Sequence, residues 1–527
     1  MKKIYFTLFI LMSAIAGMAY LYFSNLTRET SYQETSLYAA TANSGLIFCI
    51  QNEKSVFEVL KGQHFFRKLL GEEKFGQLSL LKNELMSGPT VSNLIGNHNI
   101  FISFAAGKNK EIDYLVSTQL NDELEKPKLI TAIQSKGITI TTENGILKLA
   151  LKDSSLFYLN IEKNLILLSN NSELIKTAMV HEPTEENHQF VAYIKSGNKF
   201  SKNSLGNLYV DFNKVPAILK SILPGNLNGG LSVFNHQNSF ATFNYNFSRE
   251  RVFFNGNSEI HDPKNYLKLF TALSPQQNSI DNLLPENTAN FRLYAMADYN
   301  IWKKSLANWF QINKEDQKVN RTIQDFNKEY HLNTADIFPA YFKNQFITFQ
   351  LKSSENLAAV NLTNGDKVKQ FLLDMSDDYN PDIKRFKKSG LLYCYFGEPF
   401  KQFSRPYYAI IDNNMIVSNQ PAALSSFLEA YRSNKLLINT QDYINIYSQI
   451  SKTANITYYI NRKNSGDLVR KTIYLPYYNH YINKQGLEGF SSFVYQLSGD
   501  KGEFQTNLLL NTIPEISPDT LENLTNK

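Results

Sequence analysis

Two stretches of the chain share one pattern, and that recurrence constrains the fold more than any bulk property does. FYLNIEKNLILLSNN runs from Phe157 to Asn171 and YYAIIDNNMIVSNQ from Tyr407 to Gln420. Aligned, Tyr158 falls on Tyr408, an offset of 250, with Ile161 on Ile411, Asn164 on Asn414 and Ile166 on Ile416. A one-residue deletion then sets Ser169 on Ser418 and Asn170 on Asn419. Each copy reads as a strand, a tight turn and a return strand. The turns are Glu162-Lys163-Asn164 and Asp412-Asn413-Asn414, where Asn and Asp tolerate the positive φ of a hairpin loop. Ser169-Asn170 and Ser418-Asn419 are expected to cap the helices that follow.

Three further matches keep the same order. FATFNYNFSRERVFFNGN from Phe240 meets FSSFVYQLSGDKGEFQTN from Phe490, pairing Phe243 with Phe493, Tyr245 with Tyr495 and Phe254 with Phe504. Asn207 onward meets Asn455 onward, and Ala42-Asn43 meets Ala289-Asn290 ahead of an apolar strand. Collinear matches at nearly constant spacing predict a tandem duplication: repeat 1 over 36–262, a linker over 263–282 near ALSPQQNSIDN, repeat 2 over 283–512 and a polar tail over 513–527.

Within each repeat the expected order is a strand (LIFCI at Leu46, FRLYAM at Phe291), a helix, strands at Asn99 and Gln345, and a second helix at Pro127–Gln134 or Lys367–Met375. The hairpin and a long antiparallel pair follow. The first helix carries Val56, Val59, Leu60, Phe66, Leu69 and Leu70 in one copy and Trp302, Leu306, Trp309 and Phe310 in the other. An aromatic stripe at helical spacing reads as core. Strands on short turns with single helices between them predict an α+β fold, mainly antiparallel, with helices on one face.

The first 35 residues set location. Lys2 and Lys3 precede an uncharged run from Ile4 to Phe23; twenty helical residues cover about 30 Å, the thickness of a bilayer's hydrocarbon core. The lysines predict a cytoplasmic N-terminus and a single-pass signal-anchor over 4–23, with the bulk of the chain in the periplasm or extracytoplasmic space. The competing reading is secretion after cleavage at Ala14-Ile15-Ala16.

Composition excludes some classes. The formal charge is +6, but bases and acids are interleaved, and the densest basic run is Lys384, Arg385, Lys387 and Lys388. That is no nucleic-acid stripe. With 37 Phe, 30 Tyr and an apolar fraction of 43%, the chain can bury large cores, so disulfides are not needed. Cys49 and Cys394 each lie in an apolar run that reads as a buried strand and are expected to be free thiols.

No motif carries catalysis. The eight histidines show no zinc spacing. HEPTEENH (His181–His188) reads as a solvated loop before a metal site. DMSDDYNPD (Asp374–Asp382) lacks the glycine and terminal Glu of a calcium loop. GNLNGG (Gly225–Gly230) lacks the Lys-Ser/Thr of a phosphate loop. We therefore expect no enzyme activity, no catalytic residues, no cofactor and no metal.

The candidate binding surface is IYLPYYNHYINKQ, where Tyr474, Tyr477, Tyr478, His480 and Tyr481 cluster in a loop-like context; rigid tyrosines suit protein interfaces and sugars. Asp519-Thr520-Leu521 matches a weak O-glycosylation pattern. In layout, an N-terminal anchor before a long exported α+β region, the chain resembles uncharacterised bacterial membrane-anchored envelope proteins carrying a domain of unknown function. The resemblance implies an envelope location and no particular activity. The expected role is binding or scaffolding an envelope protein partner, with glycan or lipid binding as the alternative and an unrecognised hydrolase behind it.

Overall fold

The computed structural model describes residues 34–52, 67–68, 71–80, 89–151, 155–179, 184–197, 206–225, 238–247, 251–483 and 486–513. Segment 4–23, read as an anchor, the Ala14-Ile15-Ala16 stretch read as a cleavage site, the stripe from Val56 to Leu70, most of Gly225–Gly230 and the tail with Asp519-Thr520-Leu521 lie outside them. Among the described residues no helix is long and apolar enough to cross a membrane. The chain packs as two units: residues 1–62, 74–199 and 205–209, then 63–73, 200–204 and 210–527.

In the first unit, helix α1 (Glu34–Thr41) precedes strands β1 (Leu46–Gln51), β2 (Asn99–Ala106) and β3 (Ile112–Gln119). Helix α2 (Lys126–Gln134) leads to β4 (Thr139–Glu143), β5 (Ile146–Ala150), β6 (Leu156–Glu162), β7 (Leu165–Ser169) and helix α3 (Ser172–Ala178). The strands lie in the order β1-β2-β3-β7-β6-β5-β4, every neighbour antiparallel. On its other edge β1 pairs with β8 (Asn207–Asp211). Ala39 of α1 and Ile175 of α3 close one core against Leu115, Ile146, Leu165 and Leu167.

The second unit holds helix α4 (Val215–Ile222), β9 (Ser239–Phe247), β10 (Arg251–Ile260), β11 (Thr288–Ala295), helices α5 (Tyr299–Ile312) and α6 (Asp316–Tyr330), β12 (Phe342–Leu351) and β13 (Asn356–Leu362). It continues with α7 (Gly365–Phe371), β14 (Ser376–Asp378), β15 (Lys384–Phe386), α8 (Leu391–Phe396), β16 (Tyr407–Ile411), β17 (Asn414–Ser418), α9 (Pro421–Arg432), β18 (Ile456–Asn461), α10 (Arg462–Thr472), α11 (Leu475–Ile482), β19 (Phe490–Asp500) and β20 (Glu503–Thr512). Its antiparallel sheet runs β9-β10-β20-β19-β18-β11-β12-β13-β17-β16-β15-β14. The α+β, mainly antiparallel architecture is as expected. Residues 263–282, read as a linker, contribute Tyr266 and Phe270 to the core.

Helices do not keep to one face here. Tyr294 of β11 and Phe346 of β12 meet Trp302, Leu306, Phe326 and the whole of α8 in one core. Phe291 and Leu293, on the opposite pleat, meet Leu424 and Phe427 of α9 and Tyr443 in a second. Strands apolar on both faces must be covered on both faces, since successive side chains alternate across the sheet. Trp302 and Trp309 are core residues as the stripe implied, and the Trp309 indole donates to the Lys264 carbonyl at 2.8 Å.

Three local expectations change. LLYCYF, read as a strand around Cys394, is helix α8, set between Gly390 (φ 91°) and Gly397 (φ 70°); a short, wholly apolar run has no periodicity to separate helix from strand. At the hairpins the positive φ angles fall on Lys163 (51°), Asp412 (45°) and Asn413 (60°), and the recurring Asn164 and Asn414 are not among the left-handed residues. Ser169 and Ser418 do not cap helices. Ser169 Oγ donates to the Tyr114 carbonyl and accepts from Asn171 N–H, while Ser418 Oγ donates to the Asn356 carbonyl and accepts from Gln420 N–H. Each serine latches the end of its strand to the neighbouring one. The cap of α3 is Asn171, whose side chain accepts from Glu173 N–H, and Gln420 ahead of α9 makes no such bond.

Candidate functional site

The tyrosine-rich stretch is helical rather than loop-like. α10 opens on Asn461, whose side chain accepts from Asn464 N–H at 2.9 Å. After Ile473 and Tyr474 the chain enters α11 with Pro476 in the first turn, where its missing N–H costs nothing. The Tyr474 carbonyl accepts from Tyr477 and Tyr478, and its own N–H donates to the Ile222 carbonyl of α4 at 2.9 Å. The Tyr481 hydroxyl donates to the Arg462 carbonyl at 2.7 Å, so the end of α11 returns to the start of α10.

This helical hairpin gathers all five candidate residues but does not present them equally. Tyr481 is 6% exposed. The Arg462 guanidinium lies 5.8 Å from its ring centre. Burial, opposed by the Arg462 charge, pushes its phenol up to about 12. Tyr478, partly exposed, stacks on Tyr481 with ring centres 6.3 Å apart and planes 18° apart. His480 is wedged against backbone: a Cβ added to Gly71 or Gly486 would sit 3.4 or 2.8 Å from its Nδ1. Tyr474 and Tyr477 are half-buried.

What α11 offers to solvent is aliphatic. Leu475 is 68% exposed and Ile482 47%, and with Tyr478 between them the spacing of three and four places all on one helix face. Neither aliphatic residue was singled out from sequence. The signal existed, but only for a segment already read as helix. On α10 the exposed positions are Lys463, Asp467, Arg470, Lys471 and Thr472, a basic face with one acid.

The other candidates are occupied by neighbours. In DMSDDYNPD, Asp378 pairs with Lys384, Asp377 with Arg405 at 3.9 Å and Asp382 with Arg432 at 2.9 Å. Of HEPTEENH, residues 181–183 lie outside the described set. Glu185 starts a helix, Glu185–Gly197, where a loop was expected, and His188 Nδ1 is hydrogen-bonded to the Tyr38 hydroxyl at 2.9 Å. Among the described residues no three His, Cys, Asp or Glu side chains are placed to hold a metal ion. Cys49 and Cys394 are free and buried, and desolvation pushes both thiols up to about 12. A cavity between α1 and the sheet, lined by Ala39, Ser44, Ser103 and Leu115, is of water size. Compared with protein-family models, curated proteins and solved structures, the chain matches none.

Proposed function

We propose that the chain is a non-enzymatic, membrane-anchored envelope protein built from two copies of one α+β domain, and that the α10–α11 hairpin is its contact surface for a protein partner. The observation that carries the contact surface is the Leu475, Tyr478 and Ile482 stripe: a helix face that leaves two aliphatic side chains this exposed is suited to burial by another surface.

The duplication is supported by strand order. β1-β2-β3-β7-β6-β5-β4 in one unit and β11-β12-β13-β17-β16-β15-β14 in the other match position for position. β8 flanks β1 as β18 flanks β11. The serine latches at Ser169 and Ser418 fall at the same place in both.

A photo-crosslinking amino acid at position 475 or 482 of the anchored chain in cells should yield a discrete protein adduct, lost in an L475D/I482D double variant. No adduct at either position refutes the surface. Lipid binding is a second reading, favoured by Lys463, Arg470 and Lys471 on the neighbouring helix; phospholipid adducts from the same positions would select it. A reporter fused after residue 513, active only outside the cytoplasm, tests the localisation.

A further inference from the structure

The terminal strands of the two units differ, and the difference points to a second interaction surface. In the second unit the terminal strand β14 has three residues, and its acids are tied to Arg405 and Lys384. Short length and charge are the usual guards of a sheet edge. In the first unit the terminal strand β4 is five residues, TITTE, and among the described residues it pairs only with β5. It carries no proline and no lysine. Thr139, Thr141, Thr142 and Glu143 are exposed.

The β4–β5 hairpin fixes which backbone groups remain unused. Its loop is Asn144-Gly145, with φ of 51° and 81°, so Glu143 and Ile146 close it. In such a two-residue loop the closing pair exchanges both backbone bonds, and bonded pairs alternate along the ladder. Thr139, Thr141 and Glu143 therefore bond inward to β5. The N–H and C=O of Ile140 and Thr142 point outward.

We propose that two copies of the chain pair antiparallel through β4, in a symmetric register centred on Thr141. Ile140 then exchanges both bonds with Thr142 of the second copy, and Thr142 with Ile140, which satisfies all four outward groups. Thr141 opposes Thr141, and Thr139 opposes Glu143, so no like charges face each other. No other antiparallel self-register centred on one residue of this strand matches both outward residues with each other. The chain already joins hairpin edges in this way inside the second unit, where β10 pairs with β20 over eight residues, Arg251 to Ser258. The contact is isologous, which closes on a dimer instead of a filament.

The register sets the test. Opposed residues of a non-hydrogen-bonded pair lie about 4.5 Å apart at Cα, within disulfide reach. A Thr141→Cys variant of the full-length chain, mildly oxidised in membranes, is expected to run as a covalent dimer. Cys49 and Cys394 are buried and do not compete. Thr139→Cys should stay monomeric, because the two copies of that position are four residues out of register, about 13 Å. Thr142→Pro removes an outward N–H, a change an edge strand accepts, and added to T141C it should abolish the dimer. Thr141→Lys places two lysines face to face and should halve the mass in solution. A T141C chain that stays monomeric, equal crosslinking from T139C, or a product holding a different protein each overturns the proposal.

Discussion

Replacing Tyr443 with Phe tests a buried carboxyl of the second unit. The Tyr443 hydroxyl donates to Asp281 Oδ2 at 2.5 Å. Both side chains are buried, and Asp281 Oδ1 has no hydrogen-bond partner. Burial holds the Asp281 carboxyl above its ordinary range, against the opposing effect of the Tyr443 bond. A raised folded value means that the stability contribution is fully present below the ordinary carboxyl value of 3.8 and is lost as pH rises through the folded value. Removing the hydroxyl removes the main support of the ionised form, so it raises that value further and widens the window. A bond to a charged group contributes about 1.5–3 kcal/mol and one between neutral groups about 1 kcal/mol. Y443F should therefore lose about 1.5–3 kcal/mol where the carboxyl is ionised and about 1 kcal/mol where it is protonated, so the loss should grow as pH rises. Urea unfolding followed by tryptophan fluorescence reads this unit selectively, since the chain's 2 tryptophans, Trp302 and Trp309, both lie in it. Asp281→Asn should flatten the pH slope. A Y443F loss that stays constant as pH rises, or a D281N slope equal to that of the parent chain, refutes Asp281 as the titrating group.

Three other outcomes are expected. Gly256→Val should break the β9-β10-β20 pairing, because a Cβ there overlaps the Thr242 carbonyl oxygen; hydrogen exchange at β10 and β20 should lose protection while β11–β13 keep it. A thiol reagent at pH 8 should find neither cysteine in the folded chain and both in denaturant, as thiols pushed up to about 12 by burial stay protonated. Ser169→Ala and Ser418→Ala should each cost about 1 kcal/mol in thermal unfolding, since each leaves one carbonyl and one N–H without its hydroxyl partner.

The strands and hairpins were legible in the sequence because a two-residue period and a turn are local properties. β6–β7 and β16–β17 lie where FYLNIEKNLILLSNN and its counterpart place them. Helix α5 was legible from the spacing of Trp302, Leu306, Trp309 and Phe310. What escaped depended on partners. Ser169 reads as a cap in sequence, and only the arrival of Tyr114 from β3 makes it a latch. LLYCYF gives no periodicity, and as helix α8 it has all six residues buried. In the candidate site the tyrosines were conspicuous by type, yet Tyr481 turns inward onto Arg462. The exposed Leu475 and Ile482 become conspicuous only when Pro476 is recognised as a helix start.

The junction of β10 with β20 also has a timetable. It pairs Gly256 with Thr506, and 250 residues of synthesis separate the two. At about 5–20 residues per second that is roughly 12 to 50 s. Throughout that interval β10 has β9 on one side and no mate on the other, with Val252 and Phe254 awaiting cover. Closing so long a loop is slow, and an unmated edge recruits other chains. The ten residues of β20, Glu503–Thr512, are thus the ones that release the nascent protein from this exposure. A polypeptide cut short before them would emerge with a ready site for aggregation, however well its earlier strands had formed.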